Sequence, residues 1–166
     1  MSTGPRSTST AASTSEPQAD TRLYPPRPIL AASVAVFRDD GRVLVAARTK
    51  PPGPDVFSLP GGVVEIGETL EQAALRELDE EVGVRARILG FAGHVEVIER
   101  DEAGAVRRHF VVNAFSGTWL EGEPTTGPEA SEVRFVALDE LAGLKTTPGL
   151  AGIVARAHAV WRERRP

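Results

Sequence analysis

The stretch Gly62 to Val84, GVVEIGETLEQAALRELDEEVGV, decides how the rest of this chain is read. It sets Glu68 ahead of a helix and then places Arg76, Glu77, Glu80 and Glu81 along it. At about 100° per residue, Glu77, Glu80 and Glu81 fall within an arc of roughly 100°. Leu75, Leu78 and Val82 form a separate apolar stripe, as expected of a helix docked on a core. Acids at i, i+3 and i+4 repel one another by a few tenths of a kcal/mol per pair. A helix that needed only solubility would interleave lysines. Crowded carboxylates make sense beneath a divalent cation, because Mg²⁺ and Mn²⁺ prefer hard oxygen donors.

The helix is bounded by local signals. Thr69-Leu-Glu-Gln72 is a capping box, and Gly83 stands where a helix C-terminus favours glycine. Upstream, Ile29 to Arg38 reads as a buried strand, Asp39-Asp40-Gly41 as a tight turn, and Arg42 to Arg48 as the second strand of a hairpin. Lys50 to Asp55 is a loop, and Phe57 to Gly62 leads into the helix. Downstream, Arg87 to Glu99 and His109 to Trp119 are strands about an Asp101–Gly104 turn. An acidic loop from Leu120 to Ser131 precedes a short strand, Val133 to Ala137, and a helical turn at Asp139. Pro148 to Arg164 is a helix with an apolar stripe through Leu150, Ile153, Val154, Ala157 and Trp161. Strands mixed with two principal helices imply an α/β protein with a mixed sheet between helices.

Composition narrows the possibilities. The 166 residues suffice for one ordinary domain. The absence of cysteine excludes disulfides and thiolate metal sites. No apolar run reaches membrane-spanning length, and a formal net charge of -4 argues against a general nucleic-acid binder. The first residues, MSTGPRSTSTAASTSEPQADTR, carry too little apolar surface to offset chain entropy and lack the apolar core of a secretory signal. They are expected to form a disordered tail over residues 1–28, with the proline-rich Tyr24 to Ile29 marking the boundary of a domain over residues 29–166 in a cytoplasmic protein.

The motif resembles the signature of the Nudix hydrolases, G-x5-E-x7-R-E-U-x-E-E-x-G-U with U aliphatic. The matching residues are Gly62, Glu68, Arg76, Glu77, Leu78, Glu80, Glu81, Gly83 and Val84, without departure. At ordinary residue frequencies, chance agreement is on the order of one in a billion per starting position. The resemblance implies the family's α/β/α sandwich over roughly residues 29 to 160. It also implies a magnesium- or manganese-dependent pyrophosphohydrolase acting on a nucleoside diphosphate linked to another group. By motif position, Glu77, Glu80 and Glu81 become metal ligands, with the carbonyl of Gly61 or Gly62 completing the set. Glu68 becomes an orienting acid, and Arg76 a guanidinium that holds loop and helix in register. The general base is either Glu77 or an acid from outside the motif. The segment from Trp119 to Glu129 resembles a loop of the MutT-type branch, which would swing Glu129 over the metal.

Other residues admit two readings. Arg48 ends the second strand and is a candidate phosphate contact, or an ordinary surface arginine. Arg107, Arg108 and His109 would hold phosphate or base, or form a polar strand edge. Phe57 and Trp119 would stack on a nucleobase, or pack in the core. Glu96, Glu99, Asp101 and Glu102 read as a solvated hairpin, and His158 as structural. Family tags for particular substrates are missing. The proline expected of ADP-ribose enzymes falls at Arg100, and the only tyrosine is Tyr24. The candidates left are nucleoside triphosphates, oxidised nucleotides and small nucleoside diphosphate derivatives such as ADP-ribose. The alternative to turnover is a nucleotide-sensing module of the same fold; the intact set of carboxylates favours catalysis. No nucleic-acid or membrane partner is expected, and a homodimer is allowed by the resemblance.

Overall fold

The structure, a computed structural model, describes residues 22–49 and 55–166. The first strand, β1 (Ile29–Phe37), and β2 (Val43–Arg48) are buried on both faces, which explains their near-continuous apolar sequence. Two short strands follow, β3 (Phe57–Ser58) and β4 (Gly61–Val63). Helix α1 (Leu70–Val82) leads into the long hairpin of β5 (Arg85–Arg100) and β6 (Val106–Glu121). The chain ends with β7 (Ala130–Val136), the single turn α2 (Leu138–Leu141) and α3 (Leu150–Arg164).

All seven strands join one mixed sheet. The parallel ladder runs from Ile29↔Phe110 to Phe37↔Thr118 between β1 and β6; the other ladders between these strands are antiparallel, and an isolated parallel bridge joins Phe57 to Thr146. The expected β1–β2 hairpin forms only at its mouth, Phe37↔Val43. Beyond it the strands part. β4 pairs with β1 through Ala31↔Val63 to Ser33↔Gly61, and β3 pairs with β2 through Ala46↔Ser58 and Ala47↔Phe57. Glycine permits this insertion: a Cβ on Gly61 would lie 2.4 Å from the carbonyl oxygen of Ala32.

Alternating side chains feed two cores. Ala32, Val34, Val36, Leu44 and Ala46 meet α1 through Ala73, Ala74, Leu78 and Val82. Ala35, Phe37, Val43, Val45 and Ala47 pack with α3 through Leu150, Val154, Ala157 and Trp161. The result is the α/β/α sandwich expected from the sequence. The α3 stripe is the one read from the sequence, and all five of its residues are buried. The α1 stripe needs correction, since Leu75 is only half-buried while Ala73 and Ala74 are fully covered. Small side chains let the helix sit close to the sheet, and the larger Leu75 lies at the margin.

Both ends of α1 follow the local code. Thr69 and Gln72 exchange the two capping-box hydrogen bonds, and Gly83 adopts the left-handed conformation that ends the helix. Residues 1–21 of the expected tail, and 50–54 of the expected loop, lie outside the described residues. Within the boundary segment, Tyr24 is fastened to the β5–β6 hairpin: its N–H donates to Arg107 O at 2.8 Å and its hydroxyl to Asp101 Oδ2 at 3.0 Å.

Candidate active site

The sheet opens between β2 and β4, and α1 turns its acidic side toward that opening. On a helical wheel the buried Ala73, Ala74, Leu78 and Val82 span about 180°, with Glu81 and Glu77 inside that arc, about 20° and 60° from Ala74, and Glu80 about 20° beyond Ala73. Burial follows that order. Glu77 and Glu81 are half-buried and Glu80 is exposed. The cleft beside them is lined by Ala46, Ala47, Arg48, Ser58, Leu59, Gly61, Glu81, Glu129 and Ala130.

Arg76 organises the outer half of the site. Its Nε donates to Glu68 Oε1 at 2.6 Å and its Nη2 to Glu68 Oε2 at 3.0 Å, a two-point bond that only a guanidinium makes. Nη2 also donates to Val63 O at 3.2 Å, tying α1 to β4. Nη1 reaches Glu77 Oε1 at 2.8 Å and Glu80 Oε2 at 3.2 Å. Bonding to Arg76, helped by the Glu65 N–H, lowers the Glu68 carboxyl to about 2. Glu68, and then Glu77, raise Arg76 above its ordinary value. Glu77 lies so close to Gly62 that a Cβ there would stand 2.4 Å from the carboxylate carbon. Only glycine fits.

Glu81 turns the other way. Its Oε2 accepts the Gly61 N–H at 3.1 Å. Burial pushes its carboxyl up to about 7; the Gly61 hydrogen bond and the positive charge of Arg48 pull it back, while Glu77 and Glu129 push it further up. Arg48 and Glu129 are therefore electrostatic neighbours of Glu81, and both line its cleft.

The structure thus gathers Arg48, Gly62, Glu68, Arg76, Glu77, Glu80, Glu81 and Glu129 around the β2–β4–α1 junction. Other expectations need correcting. Phe57 is buried in the core beneath α3, with the Arg134 guanidinium 5.2 Å from its ring centre, and has no face to offer a nucleobase. Trp119 packs against the α1-side core and donates its indole N–H to Gly122 O. Arg108 and His109 precede Phe110, the partner of Ile29, whereas Gly61 lies opposite Ser33 and so level with Ala114. The offset from Arg108 to Ala114 is roughly 20 Å along the strand. Arg108 instead bonds Glu99 Oε2 at 3.3 Å across the hairpin. Residues unnoticed in the sequence also shape the cleft: Ser58 and Leu59 line it, and Thr49 holds the backbone of Glu129. Their signal is positional: Ser58 and Leu59 lie between Phe57 and the Gly61–Gly62 pair, and Thr49 directly follows Arg48.

Among the described residues, no three acid or histidine side chains converge in the geometry of a metal cage. The donor chemistry nevertheless fits a hard divalent ion. Three carboxylates leave one stretch of helix beside the Gly61–Gly62 backbone of β4, and Glu77 and Glu80 already share one cationic group, Arg76 Nη1.

A mixed sheet lies between helices, and a guanidinium on the acid-bearing helix clamps it to the glycine-containing strand. The chain belongs to the Nudix family: the Nudix domain profile matches residues 27–157. It is 33% identical over 106 residues to an ADP-ribose pyrophosphatase of Methanocaldococcus jannaschii, covering 64% of this chain and 60% of that protein. It is 45% identical over 71 residues to an RNA pyrophosphohydrolase of Gluconobacter oxydans, covering 42% and 40% respectively. Under two thirds of either relative is therefore spanned. Among solved structures, a MutT Nudix hydrolase from Burkholderia pseudomallei superposes with a TM-score of 0.68 at 27% identity, over 78% of this chain and 98% of that one.

Proposed function

We propose that this chain is a divalent-metal-dependent pyrophosphohydrolase. Its substrate class is a nucleoside diphosphate linked to a further group: a nucleoside triphosphate, an oxidised nucleotide or a nucleotide sugar such as ADP-ribose. The carrying observation is the half-buried Glu81, held on the Gly61 N–H with Glu77, Glu129 and Arg48 around it. Such an arrangement concentrates negative charge at a cost to folding, which a structural helix has no reason to bear.

Glu77, Glu80 and Glu81, with the Gly62 carbonyl, would hold Mg²⁺ or Mn²⁺. When bound, the ion supplies charge to phosphoryl oxygens and acidifies water near neutral pH. The protein's own groups do the rest. Arg76 keeps α1 and β4 in register and neutralises Glu77 and Glu80. Glu68 fixes the plane of the guanidinium. Arg48, at the mouth, orients a phosphate. Glu129 or Glu77 takes the proton from the attacking water. The names of the two relatives, an ADP-ribose pyrophosphatase and an RNA pyrophosphohydrolase, share the pyrophosphate linkage and support this reading. The protein is read as cytoplasmic; no described helix is long and apolar enough to cross a membrane.

The test is product analysis by mass over a nucleotide panel in ¹⁸O-water, with and without Mg²⁺. Turnover that requires Mg²⁺ and is lost in Glu81→Gln supports the reading. Nucleotide binding without hydrolysis would replace it with a sensing role, and undiminished turnover by Glu81→Gln would remove the site assignment.

A further inference from the structure

The segment from Gly122 to Glu129, which links β6 to β7 and delivers Glu129 to the cleft, has no helix or strand of its own. It is nevertheless fastened along its whole length. At its start, Trp119 Nε1 donates to Gly122 O at 2.9 Å, and Arg38 Nη2 donates to Glu123 Oε1 and Oε2 at 2.8 and 2.9 Å. In its middle, the Thr125 N–H donates to Val82 O, the open end of α1, at 3.0 Å. Gly127 packs on the same helix end, where a Cβ would lie 3.1 Å from Glu81 O. At its end, the Thr49 N–H donates to Glu129 O at 3.1 Å, and the Thr49 hydroxyl lies 3.4 and 3.3 Å from the carbonyls of Pro128 and Glu129.

Arg38 is built for more than one surface ion pair. Its guanidinium sits 4.0 Å from the ring centre of Phe135 on β7 and 5.1 Å from that of Trp119 on β6. It therefore touches the strand before the segment, the segment itself and the strand after it. Its Nε is buried without an acceptor, so its placement carries a cost that the cation–π and carboxylate contacts must exceed.

We infer that Arg38 and Thr49 are positioning residues that hold this segment as a rigid arm, so that Glu129 stands preset beside Glu81 instead of swinging in with substrate. The inference rests on the proposed hydrolase reading for its catalytic consequence only; the rigidity stands on the contacts alone. Neither residue needs to touch substrate. Arg38 acts through Glu123 and the flanking aromatics, and Thr49 through the backbone of Pro128 and Glu129.

Two measurements test it on the full chain. Glu123→Ala removes the exposed partner of Arg38 without touching the core; by the usual worth of such a pair, exchange of the Thr125 amide should quicken about five-fold while that of Leu78 is unchanged. Thr49→Val keeps shape and removes the hydroxyl; kcat should fall about tenfold with KM within about two-fold, and Thr49→Ser should restore most of it. Unchanged Thr125 exchange in Glu123→Ala overturns the arm. Equal losses in the Val and Ser variants, or a change in KM alone, overturn the role of Thr49. Full turnover by Glu129→Gln would instead remove Glu129 from the reaction, and the exchange measurement would still judge the arm.

Discussion

Replacing Glu81 by glutamine should make the metal-free protein more stable near neutral pH. Burial raises the Glu81 carboxyl from 4.5 to about 7. Between those values the folded chain holds a proton that the unfolded chain has released, so stability falls as pH rises. The contribution of the neutral form is fully present below about 4.5 and lost as pH passes about 7. Integrated across the interval, ionised Glu81 costs roughly 3 kcal/mol at pH 8 but less than about 1 kcal/mol at pH 5. Glutamine keeps the oxygen that accepts the Gly61 N–H and removes the charge facing Glu77 and Glu129. Urea denaturation in a chelator should therefore show Glu81→Gln more stable than wild type by about 2–3 kcal/mol at pH 8, or roughly 5–10 °C in Tm, with most of the gain gone at pH 5. Added Mg²⁺ should reverse the order, because binding to the folded wild type contributes stability that the variant lacks. A gain independent of pH, or none at pH 8, would show that Glu81 is not a strained carboxylate and would remove the observation on which the proposed function stands.

Three further outcomes follow from the same contacts. Arg76→Ala should lower metal affinity or turnover by about 10–100-fold. Because Glu68 is held near 2 by Arg76, stability from that pair is present above about 4.5 and lost as pH falls through about 2, so the variant's deficit in urea midpoint should narrow from pH 7 to pH 3. Gly62→Ala drives a methyl into the Glu77 carboxylate and should weaken Mg²⁺ binding, read by calorimetry, about 10–100-fold. Phe57→Ala should cost about 3–5 kcal/mol in unfolding free energy while leaving KM within about two-fold, because its ring is buried in the core.

Much of this architecture is legible in the amino-acid sequence because the deciding signals are local. Thr69, Gln72 and Gly83 specify the limits of α1 through hydrogen bonds spanning three or four residues. The α3 stripe is specified by helical spacing alone. What escaped the sequence are non-local choices. Periodicity tells which face of β1 is apolar but not which strand lies beside it, so the insertion of β4 between β1 and β2 was read as a simple hairpin. Size misled at α1, where the covered residues are two alanines and the leucine beside them is at the margin. It misled again at Phe57, whose ring is drawn inward because β3 pairs with β2 at Ala47 and so points it toward α3.

The motif's charges also resolve into a division of labour that spacing alone does not show. Five acceptor contacts converge on Arg76, and they are not equivalent. Its Nε and Nη2 are committed to Glu68 and Val63, the loop and the strand. Nη1 alone faces Glu77 and Glu80. Any release of those two carboxylates must therefore come from rotation of the Glu77 and Glu80 side chains themselves, since the planar guanidinium is pinned at Nε and Nη2, which keep α1 docked. Among the described residues, Glu81 has no guanidinium hydrogen bond of this kind; it accepts the Gly61 N–H and feels the charge of Arg48, while burial raises its carboxyl to about 7. One part of the acidic helix is thus balanced by a hydrogen-bonded guanidinium and the other by a backbone N–H and the charge of Arg48, and these are the balances that the proposed divalent ion would replace.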